Sequence, residues 1–386
     1  MRVSVMGTGL PVYLDNAATS FPKPSDVPAA MRNVMLKAGG NPGRGGHPLA
    51  KRAGKVLYHA RETAAAFFHA LPEHIVFTQN CTHALNLAIH GALRQGGHVI
   101  LSDLEHNAAA RPVYALSEAG IIRYSIAHIY PDTERTLHGM RSLLRRETCA
   151  VICTAVSNVT GRILPYRDIA AFCRENGLIC ITDAAQACGI LPVTANDGMQ
   201  IICTAGHKGL FGPMGTGLLI TDGSVQLRPL MQGGTGSRSA SLSMPDDLPD
   251  MLEPGTVNLP GIAGLDAGMQ FVTRQGTANI AAHEQALCRI LLDGLRDMPD
   301  IRILREDGAD YAPVISFLKA GETPAETEER LGRQGFCVRA GLHCAPLAHQ
   351  SLGTAPQGTV RVSPSLMNTS AECRAFLRAV AGRPGS

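Results

Sequence analysis

The segment Ile201-Ile-Cys-Thr-Ala-Gly-His-Lys-Gly-Leu-Phe-Gly-Pro213 runs an apolar stretch straight into a lysine, Lys208, flanked by His207 and Gly209. A lysine that condenses with an aldehyde must first lose its proton, and a partly desolvated strand end lowers its pKa in that direction. A second apolar stretch, Leu178-Ile-Cys-Ile-Thr182, ends in Asp183. A carboxylate there can keep the nitrogen of a pyridine ring protonated, so that the ring draws electrons from a substrate's α-carbon. Taken singly, Lys208 reads as a surface lysine after a strand and Asp183 as a helix cap. Taken together they point to one cofactor-bearing cleft.

Two further segments fit such a cleft. Phe77-Thr-Gln-Asn-Cys-Thr-His83 is a strand passing into a helix whose first turn carries Thr82. The free N–H groups of such a turn bind phosphate, and the same residues also read as plain N-capping by a threonine; the two are compatible. A stretch ending at Leu101 is followed by Glu105-His106-Asn107. His106 could stack on a planar ring or serve only as a hydrogen-bonded surface group.

The elements that must position these residues are legible as a rhythm. Short runs rich in Val, Ile and Leu at 75–78, 98–101, 121–126, 149–154, 178–182, 200–204 and 217–221 alternate with helical patterns such as 82–91, 107–119 and 166–176. That alternation predicts an α/β fold with a mainly parallel seven-stranded sheet between helices, and such sheets bind ligands at the carboxyl ends of their strands. A turn-rich stretch at 231–258, containing Gly233-Gly-Thr-Gly-Ser237, is too long for a plain connection. Beyond it, a helical pattern with Leu287, Ile290, Leu291 and Leu295 leads to strands at 301–304, 313–317, 336–339 and 359–362 and helices at 324–333 and 370–381. This predicts a smaller α+β domain. The expected division is an N-terminal segment 1–20, a large domain 21–276 and a small domain 277–386, with no repeats.

Composition narrows the class of ligand. A chain of 386 residues with 45% hydrophobic and 17% charged content suits two packed domains. Lys+Arg 35 against Asp+Glu 32 gives a net charge of +3, without the basic run that nucleic acid or an anionic membrane would need, so a small-molecule partner is expected. The 11 cysteines are spread singly, several inside apolar runs such as Thr148-Cys-Ala-Val-Ile-Cys-Thr154, and no Cys-x-x-Cys occurs. Neither a disulfide framework nor a metal site is expected. No run reaches membrane-spanning length and the first residues do not read as a leader, so a reducing cytoplasm is the expected compartment.

Over nearly its whole length the sequence resembles the cysteine desulfurases and selenocysteine lyases of the class V aminotransferase-like, fold-type I enzymes that use pyridoxal 5'-phosphate (PLP). The resemblance is carried by Tyr13-Leu-Asp-Asn-Ala-Ala-Thr19, Asn41-Pro-Gly-Arg-Gly-Gly-His47, Glu105-His106, Val156-Ser-Asn-Val-Thr-Gly161, Asp183-Ala-Ala-Gln186, Gly206-His-Lys208, Glu253-Pro-Gly-Thr256, Arg339-Ala-Gly-Leu-His-Cys344 and Thr359-Val-Arg361. It implies that Lys208 carries PLP and moves the α-proton, that Asp183 pairs with the ring nitrogen, that His106 stacks on the ring and that Gln186 bonds its phenolic oxygen. It implies a phosphate held by Thr82, His207 and the backbone of Cys81, with Thr256 completing the site of a partner subunit in a homodimer. Arg361 would clamp the substrate carboxylate, with Asn158 between carboxylate and cofactor. Cys344 would take sulfur from L-cysteine as a persulfide and release L-alanine. Its thiolate needs local stabilisation, for which Arg339, His343 and His349 are candidates.

The chain also departs from the family. Ala205 stands where many relatives carry a serine before Gly-His-Lys, which leaves Thr204 or the Gly-rich segment to compensate. The short segment around Cys344 resembles the compact loop of one branch, which implies a dedicated sulfur-acceptor protein or release to small thiols. Residues 231–237 resemble a hairpin lying over the partner's cleft. L-selenocysteine as substrate, or a class V aminotransferase in which Cys344 is incidental, are the nearest alternatives. A non-catalytic interaction protein would have lost Lys208, Asp183 or Arg361, a nucleotide enzyme would show a phosphate-loop motif, and a redox dithiol enzyme a Cys-x-x-Cys.

Overall fold

Each of the seven apolar runs becomes a strand in the computed structural model, which describes residues 11–43 and 45–382. Part of the expected N-terminal segment (1–10), Arg44 of the Asn41–His47 motif and the last four residues of the expected small domain lie outside the described residues. Across the sheet the order is Ile75–Thr78, Gly217–Thr221, Ile201–Ala205, Ile179–Asp183, Thr148–Thr154, Gly97–Ser102 and Ile122–Ala127. Neighbours are parallel except Gly217–Thr221, which runs antiparallel to both strands beside it. The reason is its connection: residues 206–216 hold no crossover helix, and parallel pairing needs one.

In the inner strands successive residues are buried on opposite faces, which is why they read as continuous apolar runs, whereas the edge strand Ile122–Ala127 is buried only at its ends. On one face Val99, Ile152 and Ile181 pack with Leu85 and Ile89 of the Cys81–Ala92 helix and Val113 of Asn107–Glu118. On the other, Ile100, Val151 and Ile202 pack with Phe68 of Pro48–Phe68, Ile169 and Phe172 of Tyr166–Glu175, and Leu265 and Met269 of Leu259–Gln275.

A second, antiparallel sheet joins Arg339–Gly341, Thr359–Val362, Ile315–Lys319 and Ile301–Ile303 in that order. Its core, Phe317 and Val360, packs on Leu291 and Leu295 of Thr277–Arg296 and Phe376 of Ser370–Val380. The single strand expected at 336–339 is divided. Phe336–Cys337 pairs in parallel with Val12–Tyr13, and only after Val338 does the chain enter the second sheet.

Residues 231–258 contain bends and turns without a strand, so the hairpin expected at 231–237 does not form. Gly233, Gly234 and Gly236 bring no side chains for cross-strand pairing. The Gly234 carbonyl instead accepts the Gly255 N–H at 2.8 Å, tying the stretch to the Glu253-Pro-Gly-Thr256 turn.

Candidate active site

A cleft of about 220 Å³ opens at the carboxyl ends of the parallel strands. Lys208, Asp183, His106, Gln186, Cys81, Thr82, His207, Asn158 and Arg361 all line it, together with Thr154, Ala205, Arg339 and His343. Thr256 and Cys344 are not part of that lining.

Lys208 sits on the turn that leaves Ile201–Ala205, and close packing dictates the glycines beside it. A Cβ on Gly206 would lie 2.2 Å from Thr216 Oγ1, and one on Gly209 would lie 2.1 Å from the Cys188 carbonyl oxygen. The N-terminal segment then clamps the turn from outside. The His207 carbonyl accepts from Ser20 N at 3.0 Å, Thr19 Oγ1 at 3.1 Å and Lys23 Nζ at 2.8 Å, and the Lys208 carbonyl accepts from Ser20 Oγ at 2.9 Å. Burial pushes the Lys208 amine below the ordinary lysine range; Asp183 opposes this, and Arg361 and Arg339 add to it.

Asp183 ends the neighbouring strand, opposite Cys203 in register. Its Oδ1 accepts the Ala185 N–H at 2.9 Å and the Cys81 thiol at 3.4 Å. Cys81 therefore contributes a side-chain contact beyond the backbone N–H expected of it.

The Cys81–Ala92 helix is capped by Asn80, whose Oδ1 accepts from His83 N at 2.9 Å, so the threonine-cap reading of Thr82 is corrected. Asn80 stands one residue before the helix, at the position from which a side-chain oxygen reaches the third amide, whereas Thr82 already lies inside the first turn. The amides of Cys81 and Thr82 have no intrahelical acceptor. Nearby, His207 Nδ1 is buried without a partner, and burial, followed by Lys208 and Lys23, pushes this imidazole down to about 4. Ala205 faces the cleft without a hydroxyl, while Thr204 lies outside its lining and its hydroxyl donates to the Ala184 carbonyl at 3.4 Å. Thr204 therefore does not replace the missing serine, because adjacent strand residues point to opposite faces.

His106 caps the Asn107–Glu118 helix, its Nδ1 accepting from Ala108 N at 3.0 Å. That bond places the ring proton of the neutral form on Nε2, and burial, opposed by Asp183, pushes the imidazole down to about 4. Gln186 Nε2 donates to the Ala17 carbonyl at 2.8 Å. Glu105, given no role from sequence, is fully buried: its Oε1 accepts from Ser102 Oγ at 2.5 Å and Thr154 N at 2.7 Å, and burial pushes its carboxyl up to about 8.

Arg361 is 1% exposed. Its Nη2 meets Asp15 Oδ1 at 2.7 Å and its Nη1 donates to the Asn158 carbonyl at 2.9 Å, while Asn158 Nδ2 donates to the His343 carbonyl at 2.7 Å. Asp15 is a residue that sequence reasoning quoted within Tyr13–Thr19 without assigning it a contact. The signal was present, but its partner stands 346 positions away.

Cys344 is exposed at the rim, and Arg339 Nη2 approaches its sulfur at 3.6 Å. Of the three candidates for stabilising a thiolate, only Arg339 touches it. His343 Nε2 is engaged with the Thr359 carbonyl at 3.1 Å and His349 Nδ1 with Thr354 Oγ1 at 2.7 Å, and both rings are buried. Burial, with Arg361 next, pushes His343 down to about 2, so its ring is neutral. His343 and Cys344 adopt φ of 48° and 57°, a left-handed pair that costs backbone strain, and the Asn107 N–H holds the Cys344 carbonyl at 2.7 Å. Thr256 is exposed away from the cleft, with Asn41 Nδ2 donating to its Oγ1 at 3.4 Å. Among the described residues no helix is long and apolar enough to cross a membrane, and no group of three His, Cys, Asp or Glu is arranged to hold a metal ion.

The sequence model of the aminotransferase class-V family matches residues 12–376, and the chain belongs to that family, whose enzymes depend on PLP. Within it the chain is similar to cysteine desulfurases. A protein of Methanothermobacter thermautotrophicus named "Probable cysteine desulfurase" is 32% identical, over 94% of this chain and 92% of the relative. One of Mycolicibacterium paratuberculosis, named in the same way, is 33% identical over 98% of this chain, which spans only 56% of that longer relative. The apo structure of a cysteine desulfurase from Thermococcus onnurineus has a TM-score of 0.88 at 27% identity, covering 96% of this chain and 95% of that one. The fold is therefore that of the fold-type I PLP enzymes.

Proposed function

We propose that this protein is a PLP-dependent cysteine desulfurase that moves the sulfur of L-cysteine onto Cys344 and releases L-alanine. The observation that carries the reading is that Lys208, its amine shifted toward the neutral form, and Asp183 line one cleft. The residues present suit PLP. Two helix-start amides and an unpartnered, buried His207 Nδ1 offer donors to a phosphate, and a carboxylate and a neutral imidazole lie along the same cleft.

When bound, PLP supplies an electron-withdrawing ring that stabilises negative charge at the substrate's α-carbon. Lys208 Nζ would hold the cofactor and, with its amine shifted toward the neutral form, would accept the proton taken from the substrate's Cα. Asp183 would keep the ring nitrogen protonated, and His106 and Gln186, which line the same cleft, would hold the ring and its phenolic oxygen. Cys81 and Thr82 amides, with His207, would hold the phosphate, and Thr256 would complete the same site in the partner of a homodimer. Arg361 would bind the substrate carboxylate through the donors left beside Asp15 and Asn158, and Asn158 would lie between carboxylate and cofactor. Arg339 offers a positive partner to the Cys344 thiolate. That thiolate attacks the substrate sulfur: an S–S bond forms, the Cβ–S bond breaks, its electron pair stays on carbon, and protons complete alanine. The sulfur then passes to an acceptor protein or small thiols, in a reducing cytoplasm consistent with eleven free cysteines.

Mass spectrometry after brief exposure of the protein to L-cysteine tests the reading. Added sulfur on the peptide bearing Cys344, with alanine in the medium, is expected. Transamination of a keto acid with Cys344 unmodified would point instead to an aminotransferase.

A further inference from the structure

The guanidinium assigned to the substrate carboxylate is already partly occupied by the protein itself. Arg361 is 1% exposed, and it meets Asp15 Oδ1 at 2.7 Å and the Asn158 carbonyl at 2.9 Å, while its buried Nε has no partner. Asp15 is not a surface residue that happens to reach inward. Its backbone forms a parallel bridge to Ser363, two residues beyond Arg361 and just past the end of Thr359–Val362. Around that bridge Ser363 N donates to the Leu14 carbonyl at 2.7 Å and Ala17 N to Ser363 Oγ at 2.9 Å. The backbone that bears the carboxylate is thus tied to the residue that follows its partner's strand.

A fully buried guanidinium without an anion would be strongly destabilising, and Asp15 provides that anion when no ligand is bound. Any incoming amino-acid carboxylate must then share one cation with a carboxylate whose backbone is pinned beside it, and the two like charges repel. Substrate and product of the proposed reaction carry the same carboxylate, so a clamp of unshared strength would hold alanine as firmly as cysteine.

We propose that Asp15 is a positioning residue that sets the strength of the carboxylate clamp: it fixes one edge of the Arg361 guanidinium and weakens its grip on amino acids, so that alanine leaves. This rests on the assignment of Arg361 to the substrate carboxylate.

The test is calorimetric binding of L-alanine to the PLP-loaded protein, alongside steady-state kinetics with L-cysteine. Asp15→Asn keeps an oxygen acceptor for Nη2 and removes the charge. Its alanine dissociation constant and KM for cysteine are expected to fall about tenfold each, while kcat falls because release slows. Asp15→Ser, a second charge-free variant, carries the same expectation should the amide fail to fold. Alanine affinity that is unchanged or weaker in a folded charge-free variant would overturn the proposal. Arg361→Ala separates the two readings: loss of alanine binding supports the carboxylate assignment, and binding equal to the parent protein removes that assignment whatever Asp15 does.

Discussion

Arg339 and Arg361 stand directly opposite each other across two antiparallel strands, and both line the cleft. Like charges in that register repel unless each has its own partner. Arg361 is paired with Asp15, and Arg339 points to the Cys344 sulfur. One cross-strand pair therefore sets the spacing between the proposed carboxylate clamp and the proposed sulfur acceptor.

Lys208 is expected to be the only lysine that anchors the cofactor. The purified protein should take up PLP with a visible absorption band, and Lys208→Ala should abolish that covalent signature. A parent protein that remains colourless after incubation with PLP removes the cofactor assignment.

Replacing Cys344 by serine should leave binding of L-cysteine measurable but cut sulfide release by about a hundredfold or more, since a hydroxyl is a far weaker nucleophile than a thiolate. Sulfide output equal to that of the parent would assign the acceptor role elsewhere.

Arg361→Ala discards a charge-assisted contact, and KM for cysteine is expected to rise by about ten- to a hundredfold, with a smaller effect on kcat. An unchanged KM contradicts the clamp.

Glu105 predicts a pH dependence of stability. Its carboxyl is held protonated up to about 8, so between roughly pH 4.5, the ordinary value, and pH 8 the unfolded chain loses a proton that the folded chain keeps. Stability contributed by this group is complete below that window and is lost as pH rises through it, with a slope of at most about 1.4 kcal/mol per pH unit. Glu105→Gln, measured by denaturant unfolding across pH 5 to 8, should flatten the profile; a slope identical to the parent's contradicts the assignment.

The Arg61–Glu253 pair is nearly buried, at 8% and 7% side-chain exposure, and Glu253 Oε1 also accepts the Phe77 N–H at 2.6 Å. Glu253→Ala strands a guanidinium in the interior and should cost about 3–5 kcal/mol of unfolding free energy. A midpoint of denaturation within error of the parent's would show that the pair relaxes into solvent.

The strands and the Lys208–Asp183 end of the cleft were legible because their signals are local. An apolar run ending in Asp183, and another running into Gly206-His-Lys208, report their own burial and their own termination. Helices whose buried stripe is largely alanine, such as Ala53, Ala60 and Ala64 of Pro48–Phe68, were missed because alanine contributes little to hydrophobic periodicity.

What the amino-acid order determined by itself was therefore the chemistry on offer: which side chains could supply a thiol, an amine, a carboxylate and a guanidinium, and which strands end beside them. Only the tertiary structure decided who touches whom. It gave Arg361 the carboxylate of Asp15, aimed Arg339 and neither histidine at Cys344, turned Thr204 away from the cleft, and left Cys344 at its rim. Those outcomes depend on strand register and on contacts between residues hundreds of positions apart, and no local spacing encodes them.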